Sequence, residues 1–323
     1  MKTSLLVALL SIALALTLTV PFAGAASYTL TSFDYTGGDE TILSGINNNG
    51  QIVGQIYYDA GADPYFIYSN GIFNLIPPVS SSSVTVTGIN DSGQMSGYYR
   101  NAATNQWAGF IYHNSVFTDT NIAYEGRVTY ACDINSRGEV FGKVPGTREE
   151  YFIYKSPGTY VPINSPQINE TLNIGSFNDN GLVVGFSYTS HRAVIFNLNN
   201  SEISFFSFPF QDTADLELIG TSAADINNGG TIVGNYTVMG YDYTKSEYLV
   251  YYYGFIKEGD SFTTIAFPGS TETWISGIND LGQIVGYYVD SNDDMHGFVG
   301  NPVPSAGSFN PAIPLLLLDA YVQ

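Results

Sequence analysis

Gly277-Ile278-Asn279-Asp280-Leu281-Gly282-Gln283-Ile284-Val285-Gly286 is a phrase that this chain repeats. It stands near the start as Gly45-Ile46-Asn47-Asn48-Asn49-Gly50-Gln51-Ile52-Val53-Gly54, and again as Gly88-Ile89-Asn90-Asp91-Ser92-Gly93-Gln94-Met95-Ser96-Gly97. Looser copies lie between, at Asp133-Ile134-Asn135-Ser136-Arg137-Gly138, Ser176-Phe177-Asn178-Asp179-Asn180-Gly181 and Asp225-Ile226-Asn227-Asn228-Gly229-Gly230. The apolar residue before Asn marks each copy: Ile46, Ile89, Ile134, Phe177, Ile226 and Ile278, at steps of 43, 45, 43, 49 and 52 residues. A recurrence of that length is the mark of an array of like structural units. Six of them fill nearly all of the chain.

Each unit reads as four short strands. The first ends at Ile-Asn. The Asn-Asp-x-Gly that follows is a tight turn, because Asn and Asp hydrogen-bond to nearby backbone and Gly takes a left-handed conformation. Gln-Ile-Val-Gly begins the second strand, and a Phe-containing run such as Tyr65-Phe66-Ile67-Tyr68 or Gly109-Phe110-Ile111-Tyr112 forms the third. A Gly/Asn turn leads to a fourth strand that often ends at proline, as at Pro77, Pro162, Pro209 and Pro268. Four antiparallel strands per 40–50 residues is the arithmetic of a propeller blade. The expected fold is therefore all-β, a six-bladed β-propeller over residues 26–300, with an open solenoid as the alternative. The sixth unit lacks a fourth strand, and Ser27-Tyr28-Thr29-Leu30-Thr31-Ser32-Phe33 resembles the fourth strand Ser261-Phe262-Thr263-Thr264-Ile265-Ala266-Phe267. An N-terminal strand that completes the last blade would close the ring and remove an exposed edge.

The repeated phrase, followed by a Gly-Phe strand such as His296-Gly297-Phe298, resembles the HAF-repeat family of bacterial extracellular proteins. The resemblance covers roughly residues 40–300 and implies export and a repeat architecture, with no catalytic residues to carry over. The family triplet is only approximated, as at Pro64-Tyr65-Phe66 and Tyr253-Gly254-Phe255. Members often end in a PEP-CTERM sorting signal. Here Pro302-Val303-Pro304 and Ile313-Pro314-Leu315-Leu316-Leu317-Leu318 are followed by no Lys or Arg, and the apolar run is too short to span a bilayer. Residues 301–323 are read as a poorly ordered tail with a degenerate remnant of such a signal.

Composition and address agree with this reading. The chain has 323 residues, 10 Lys+Arg against 29 Asp+Glu, and 47 aromatic residues counting 25 Tyr, 20 Phe and 2 Trp. That basic deficit argues against capture of nucleic acid or anionic lipid, while the apolar content can build a full core. Residues 1–25 have the layout of a secretory signal peptide: Lys2, an apolar stretch from Leu5 to Val20, and Ala23-Gly24-Ala25 for cleavage. The alternative is an uncleaved membrane anchor. One cysteine, Cys132, forbids an internal disulfide and is expected to be a small buried hydrophobe.

Several features could carry chemistry. The Asn-Asp-x-Gly turns offer too few carboxylates for calcium. Asp290, Asn292 and Asp294 have the spacing that opens a calcium loop, but Met295 stands where glycine is expected, so a solvated acidic loop is the competing reading and calcium the only cofactor considered. Asp133 and Asp225 occupy the column that holds Gly45, Gly88, Ser176 and Gly277 elsewhere, and are the candidates for a glycosidase-type carboxyl pair. His113, His191 and His296 fall in different columns and form no ligand set. Tyr57, Tyr58, Tyr98, Tyr99, Tyr287 and Tyr288 lie near strand ends and could stack on sugars, the alternative being packing between blades. The function expected is that of an exported, non-enzymatic interaction module with an extracellular protein or polysaccharide partner. A lectin-like module and, behind it, a glycoside hydrolase or lyase are the rivals.

Overall fold

A computed structural model describes residues 27–303 except 61–62, 78–83, 147–149, 164–171, 214 and 243–245. The expected signal peptide and the tail beyond residue 303 lie outside the described residues. Six antiparallel four-stranded sheets form the ring. Strand β1 (Ser27–Ser32) comes first, and blade 1 follows with β2 (Glu40–Ile46), β3 (Ile52–Tyr57), β4 (Tyr65–Ser69) and β5 (Ile72–Leu75). Blade 2 has β6 (Val84–Ile89), β7 (Met95–Arg100), β8 (Trp107–His113) and β9 (Val116–Ile122). Blade 3 has β10 (Tyr130–Ile134), β11 (Val140–Val144), β12 (Glu150–Lys155) and β13 (Thr159–Ile163). Blade 4 has β14 (Leu172–Phe177), β15 (Leu182–Ser187), β16 (Arg192–Asn197) and β17 (Ile203–Phe206). Blade 5 has β18 (Leu216–Ile226), β19 (Ile232–Asp242), β20 (Glu247–Glu258) and β21 (Ser261–Ile265). Blade 6 has β22 (Glu272–Ile278), β23 (Ile284–Val289) and β24 (Met295–Val303), and takes β1 as its fourth strand.

The first strands of the six blades touch one another in sequence, and β22 returns to β2, so the ring is closed and the solenoid is excluded. Closure is by the expected strand: Ser27 pairs with Val303 and Ser32 with Phe298. This pairing extends the propeller to Val303, so Asn301–Val303 belong to the last blade rather than to a loose tail. The ladder had to run that far because a six-residue β1 needs an equal length of β24 opposite it.

Two sequence features build each blade. The glycine that ends the phrase faces the aromatic of the third strand: Gly54 opposite Phe66, Gly97 opposite Phe110, Gly142 opposite Phe152, Gly234 opposite Phe255 and Gly286 opposite Phe298. A Cβ on Gly97 would lie 2.5 Å from the Phe110 ring and 2.1 Å from the Thr85 carbonyl oxygen, so only glycine lets the ring lie flat on the strand. All five phenylalanines are fully buried, and each of the six apolar clusters joins neighbouring blades, as Val53 and Tyr65 of blade 1 join Phe110 of blade 2. The propeller has six inter-blade cores rather than one centre.

The Asn turns fasten the blades at one face. Asn47 Oδ1 accepts from the backbone N–H of Asn49 and Gln51, and Gly50 takes φ 71°, a left-handed conformation open to glycine. The same asparagine then reaches sideways: Asn47 Nδ2 donates to the Asn90 carbonyl at 2.8 Å and Asn90 Nδ2 to that of Asn135 at 3.0 Å. Asn178 donates to Asn227, Asn227 to Asn279, and Asn279 to Asn47. One residue along, the Asn48 N–H donates to Asp91 Oδ1, the Asn228 N–H to Asp280 Oδ1 and the Asp280 N–H to Asn48 Oδ1. The repeated Ile-Asn-Asp phrase is thus an inter-blade clasp as well as a turn.

Candidate functional site

The innermost strand of every blade carries a β-bulge at the same place, between Leu43 and Gly45, Val86 and Gly88, Ala131 and Asp133, Ile174 and Ser176, Ala223 and Asp225, and Ile275 and Gly277. A bulge re-aims the residues around it. The six bulged residues, Ser44, Thr87, Cys132, Gly175, Ala224 and Ser276, and the residues after them surround an axial cavity of about 140 Å3 on the Asn-turn face. Cys132 is half-buried, packed against the blade 3–4 apolar cluster beside the cavity wall with Sγ 3.6 Å from the Tyr130 carbonyl, so the small hydrophobe expected from the sequence is only partly covered. The sequence pattern hides the bulge because its six residues share no chemistry.

Asp133 and Asp225 face this cavity from blades 3 and 5, with Ser176 of blade 4 between them. Ser176 Oγ lies 2.9 Å from Asp133 Oδ2 and 2.5 Å from Asp225 Oδ1. The remaining contacts are backbone. Asp133 accepts from the N–H of Ile134 at 2.8 Å and of Phe177 at 3.1 Å, and Asp225 from the N–H of Ile226 and of Ile278, each at 2.8 Å. Each carboxyl therefore spans the inner N–H groups of two adjacent blades. A hydroxyl has one hydrogen to donate, so the two Ser176 contacts together require a proton on the carboxyl side. Burial is the main cause that raises both carboxyls above their ordinary range; the charge of Asp225 adds to it at Asp133, and that of Asp280 at Asp225. Protein encloses both groups on every side but the cavity, through which solvent still reaches part of each.

The candidate tyrosines divide by strand alternation. Tyr58, Tyr99 and Tyr288 point into the inter-blade cores: Tyr99 is 5% exposed, Tyr58 packs on the Leu43–Phe66 cluster, and Tyr288 stacks on Phe267 at 3.7 Å. Tyr57, Tyr98 and Tyr287 point the other way and are half-buried. They belong to an arc on the face opposite the Asn turns. Tyr252 of blade 5 stacks on Trp274 at 4.7 Å, and Trp274 lies parallel to Tyr287 at 6.1 Å. Burial raises the phenols of Tyr287 and Tyr65 to about 12, Glu272 adding to it at Tyr287 and nearby Tyr57 adding a smaller share at both. In blades 2 and 3, Tyr98 packs edge-on against Trp107 at 5.5 Å and Tyr130 at 4.7 Å. Both tryptophans of the chain sit in this arc. Sequence reading missed them, although Trp274 stands directly across the ladder from Tyr287, and Trp107 lies two residues from Gly109, the ladder partner of Tyr98. Polar groups are interleaved: Trp274 Nε1 donates to Glu272 at 2.9 Å and the Tyr57 hydroxyl to Gln55 at 2.8 Å.

The acidic loop of blade 6 joins β23 to β24. Asp290 Oδ1 accepts from the N–H of Asn292 and of Asp294, and Oδ2 from Asn292 Nδ2, which holds the Asp290 carboxyl below its usual range. These are contacts within the turn, two from the loop's own backbone and one from the Asn292 side chain. Among the described residues no three His, Cys, Asp or Glu side chains gather as metal ligands. His296 contacts Asp34 at 3.2 Å, far from His113 and His191 in the other blades. No helix among the described residues is long and apolar enough to cross a membrane.

No protein-family model matches the sequence, and no curated protein matches it. Solved structures do. A catalytically inactive virginiamycin B lyase from Staphylococcus aureus, bound to quinupristin, is similar at 10% identity and TM-score 0.48 over 86% of this chain and 100% of that one. The β-propeller domain of the Trilobed protease from Pyrococcus furiosus is similar at 12% identity and TM-score 0.48, over 85% and 83% of the two chains. The Aleuria aurantia lectin in complex with Fucα1-6GlcNAc follows at 11% identity and TM-score 0.41, over 86% and 100%. None of these likenesses transfers an activity to this chain.

Proposed function

We propose that this protein is an exported, non-enzymatic interaction module that holds polysaccharide along its aromatic arc. The observation that carries the proposal is the run of half-exposed rings over five consecutive blades, from Tyr252 through Trp274, Tyr287, Tyr57 and Tyr98 to Trp107 and Tyr130. Aromatic planes remove the apolar faces of sugar rings from water, and neighbouring polar groups take the hydroxyls. The phenol of Tyr287, raised to about 12 chiefly by burial, stays protonated and able to donate across the working pH range. A curved arc suits several residues of a chain better than one isolated sugar.

The test is binding of the purified chain to a carbohydrate array and to immobilised polysaccharides, with and without calcium. Binding that Trp274→Ala and Trp107→Ala each weaken at least about tenfold, with unfolding still cooperative, supports the reading. Binding that survives the double substitution defeats it. The axial carboxyl pair supports a hydrolase or lyase less well, since all four of its oxygens accept hydrogen bonds from within the ring. That rival predicts turnover of a glycan, abolished by Asp133→Asn or Asp225→Asn.

A further inference from the structure

The axis has six inward-facing backbone N–H groups, one per blade. In each innermost strand the Asn after the marker residue bonds to the second strand, as the Asn47 N–H bonds to Gln51 O and the Asn90 N–H to Gln94 O. Antiparallel pairs alternate between bonded and non-bonded, so the residue before it turns its N–H away from the second strand. With no strand on the other side, that N–H points into the cavity. For Ile134, Phe177, Ile226 and Ile278 this is directly seen, because each donates to Asp133 or Asp225. Ile46 and Ile89 hold the same register, opposite Ile52 and Met95.

The carboxyls follow a two-blade rhythm. Asp133 of blade 3 ties blades 3 and 4, and Asp225 of blade 5 ties blades 5 and 6. Blade 1 has Gly45 at this column, and no side-chain acceptor among the described residues reaches the N–H of Ile46 or Ile89. The glycines of the column differ in the room beside them. A Cβ on Gly88 would lie 2.3 Å from Asp133 Oδ1, and one on Gly277 would lie 3.1 Å from the Gly45 backbone. On Gly45 the nearest atoms would be at 3.4, 3.7 and 3.9 Å, ordinary contact distances, and its φ lies outside the left-handed region.

The geometry points to a binding site for the carboxyl group of a small ligand, gripped by the N–H groups of Ile46 and Ile89 as Asp133 and Asp225 are gripped in the other blade pairs. Two adjacent inward N–H groups match the two oxygens of one carboxyl, as the built-in pair demonstrates twice. A cavity of about 140 Å3 admits such a group with a compact body. The charged groups facing it are Asp133, Asp225, and the mouth residues Asp91, Asp179 and Asp280, with Arg137 beside Asp179 at 3.6 Å. This acidic surround selects a singly charged monocarboxylate over a polyanion.

The experiment is a titration of the 15N-labelled chain with sodium acetate at pH 6, followed through its backbone amide signals. Saturable shifts at Ile46 and Ile89, with Ile134, Phe177, Ile226 and Ile278 unmoved, are expected. Equal movement of all six, movement of none, or the same shifts with glycerol at equal concentration overturns the site. Gly45→Asp places a resident carboxyl there and is expected to weaken the acetate response at least about tenfold. An undiminished response in that variant also overturns the assignment. Should the variant not fold, the six amides of the unaltered chain decide alone.

Discussion

The two faces of the ring are built on opposite plans. On the turn face the same asparagine reaches the next blade's carbonyl at five of the six junctions, and the second position of the phrase reaches the next blade's side chain at five of six. On the other face the residues one step past the phrase are Gln55, Tyr98, Lys143, Phe186, Asn235 and Tyr287, five kinds of side chain at six equivalent positions. Repetition serves what every blade needs, which is closure. A surface that meets one particular partner has no reason to be sixfold, and variation is where recognition is to be sought.

Substitutions can break this contrast at either end. The largest effect is expected at the clasp: Asn47→Ala removes a buried side chain that accepts from two backbone N–H groups and donates to Asn90 through a buried bond. Urea unfolding should show a loss of about 3 kcal/mol, with glycan binding by the folded fraction unchanged. Trp274→Ala should behave inversely, with affinity for an immobilised polysaccharide falling by about 2 kcal/mol and stability falling by less. If Trp274→Ala unfolds the ring and leaves affinity intact, the division of labour between the faces is wrong.

A smaller effect concerns the axis. Asp133 is raised in the folded state, so the ring binds a proton that the unfolded chain has released. Its contribution to stability is full at low pH and is lost as pH climbs above about 4, the ordinary carboxylate range, through the raised folded value. Asp133→Asn should therefore flatten the decline in stability between pH 5 and pH 8 by at least about 1 kcal/mol, measured by urea unfolding at each pH. A steeper decline in the variant would contradict the shared proton. The smallest effect is expected at the Asp290 loop. Calcium heat in a calorimetric titration should be at most weak, with Kd in the range of about 10⁻⁴–10⁻³ M, and absent in Asp290→Ala. Heat that persists in that variant would put the ion elsewhere.

What the sequence made legible follows the same division. The blade count, the turns and the closing strand were readable because they recur or match, as Ser27–Phe33 matches the strand from Ser261. The column containing Asp133 and Asp225 was readable by alignment of copies, but Ser176 as the bridge between them was not, because serine in a β-rich chain carries no signal of its own. The bulge was hidden for the same reason. The tyrosine pairs were a failure of a rule in plain sight: neighbours in a strand face opposite sides, so Tyr98 and Tyr99 could never have shared one surface. Trp107 and Trp274 could have been found by following that alternation across the ladder from Tyr98 and Tyr287.

The strand that closes the ring has a consequence for how the ring is assembled. Strand β1 precedes every other strand of the ring, yet its partner β24 follows all the others, with about 260 residues of sequence between them. Until β24 is made, the earliest strand has no native neighbour in the ring. Two half-finished copies held side by side could trade these strands, giving a linked pair of rings whose every blade is correct. High local crowding of nascent chains would favour that exchange, and dilution during refolding would favour self-closure, because the tethered end then outcompetes any foreign one.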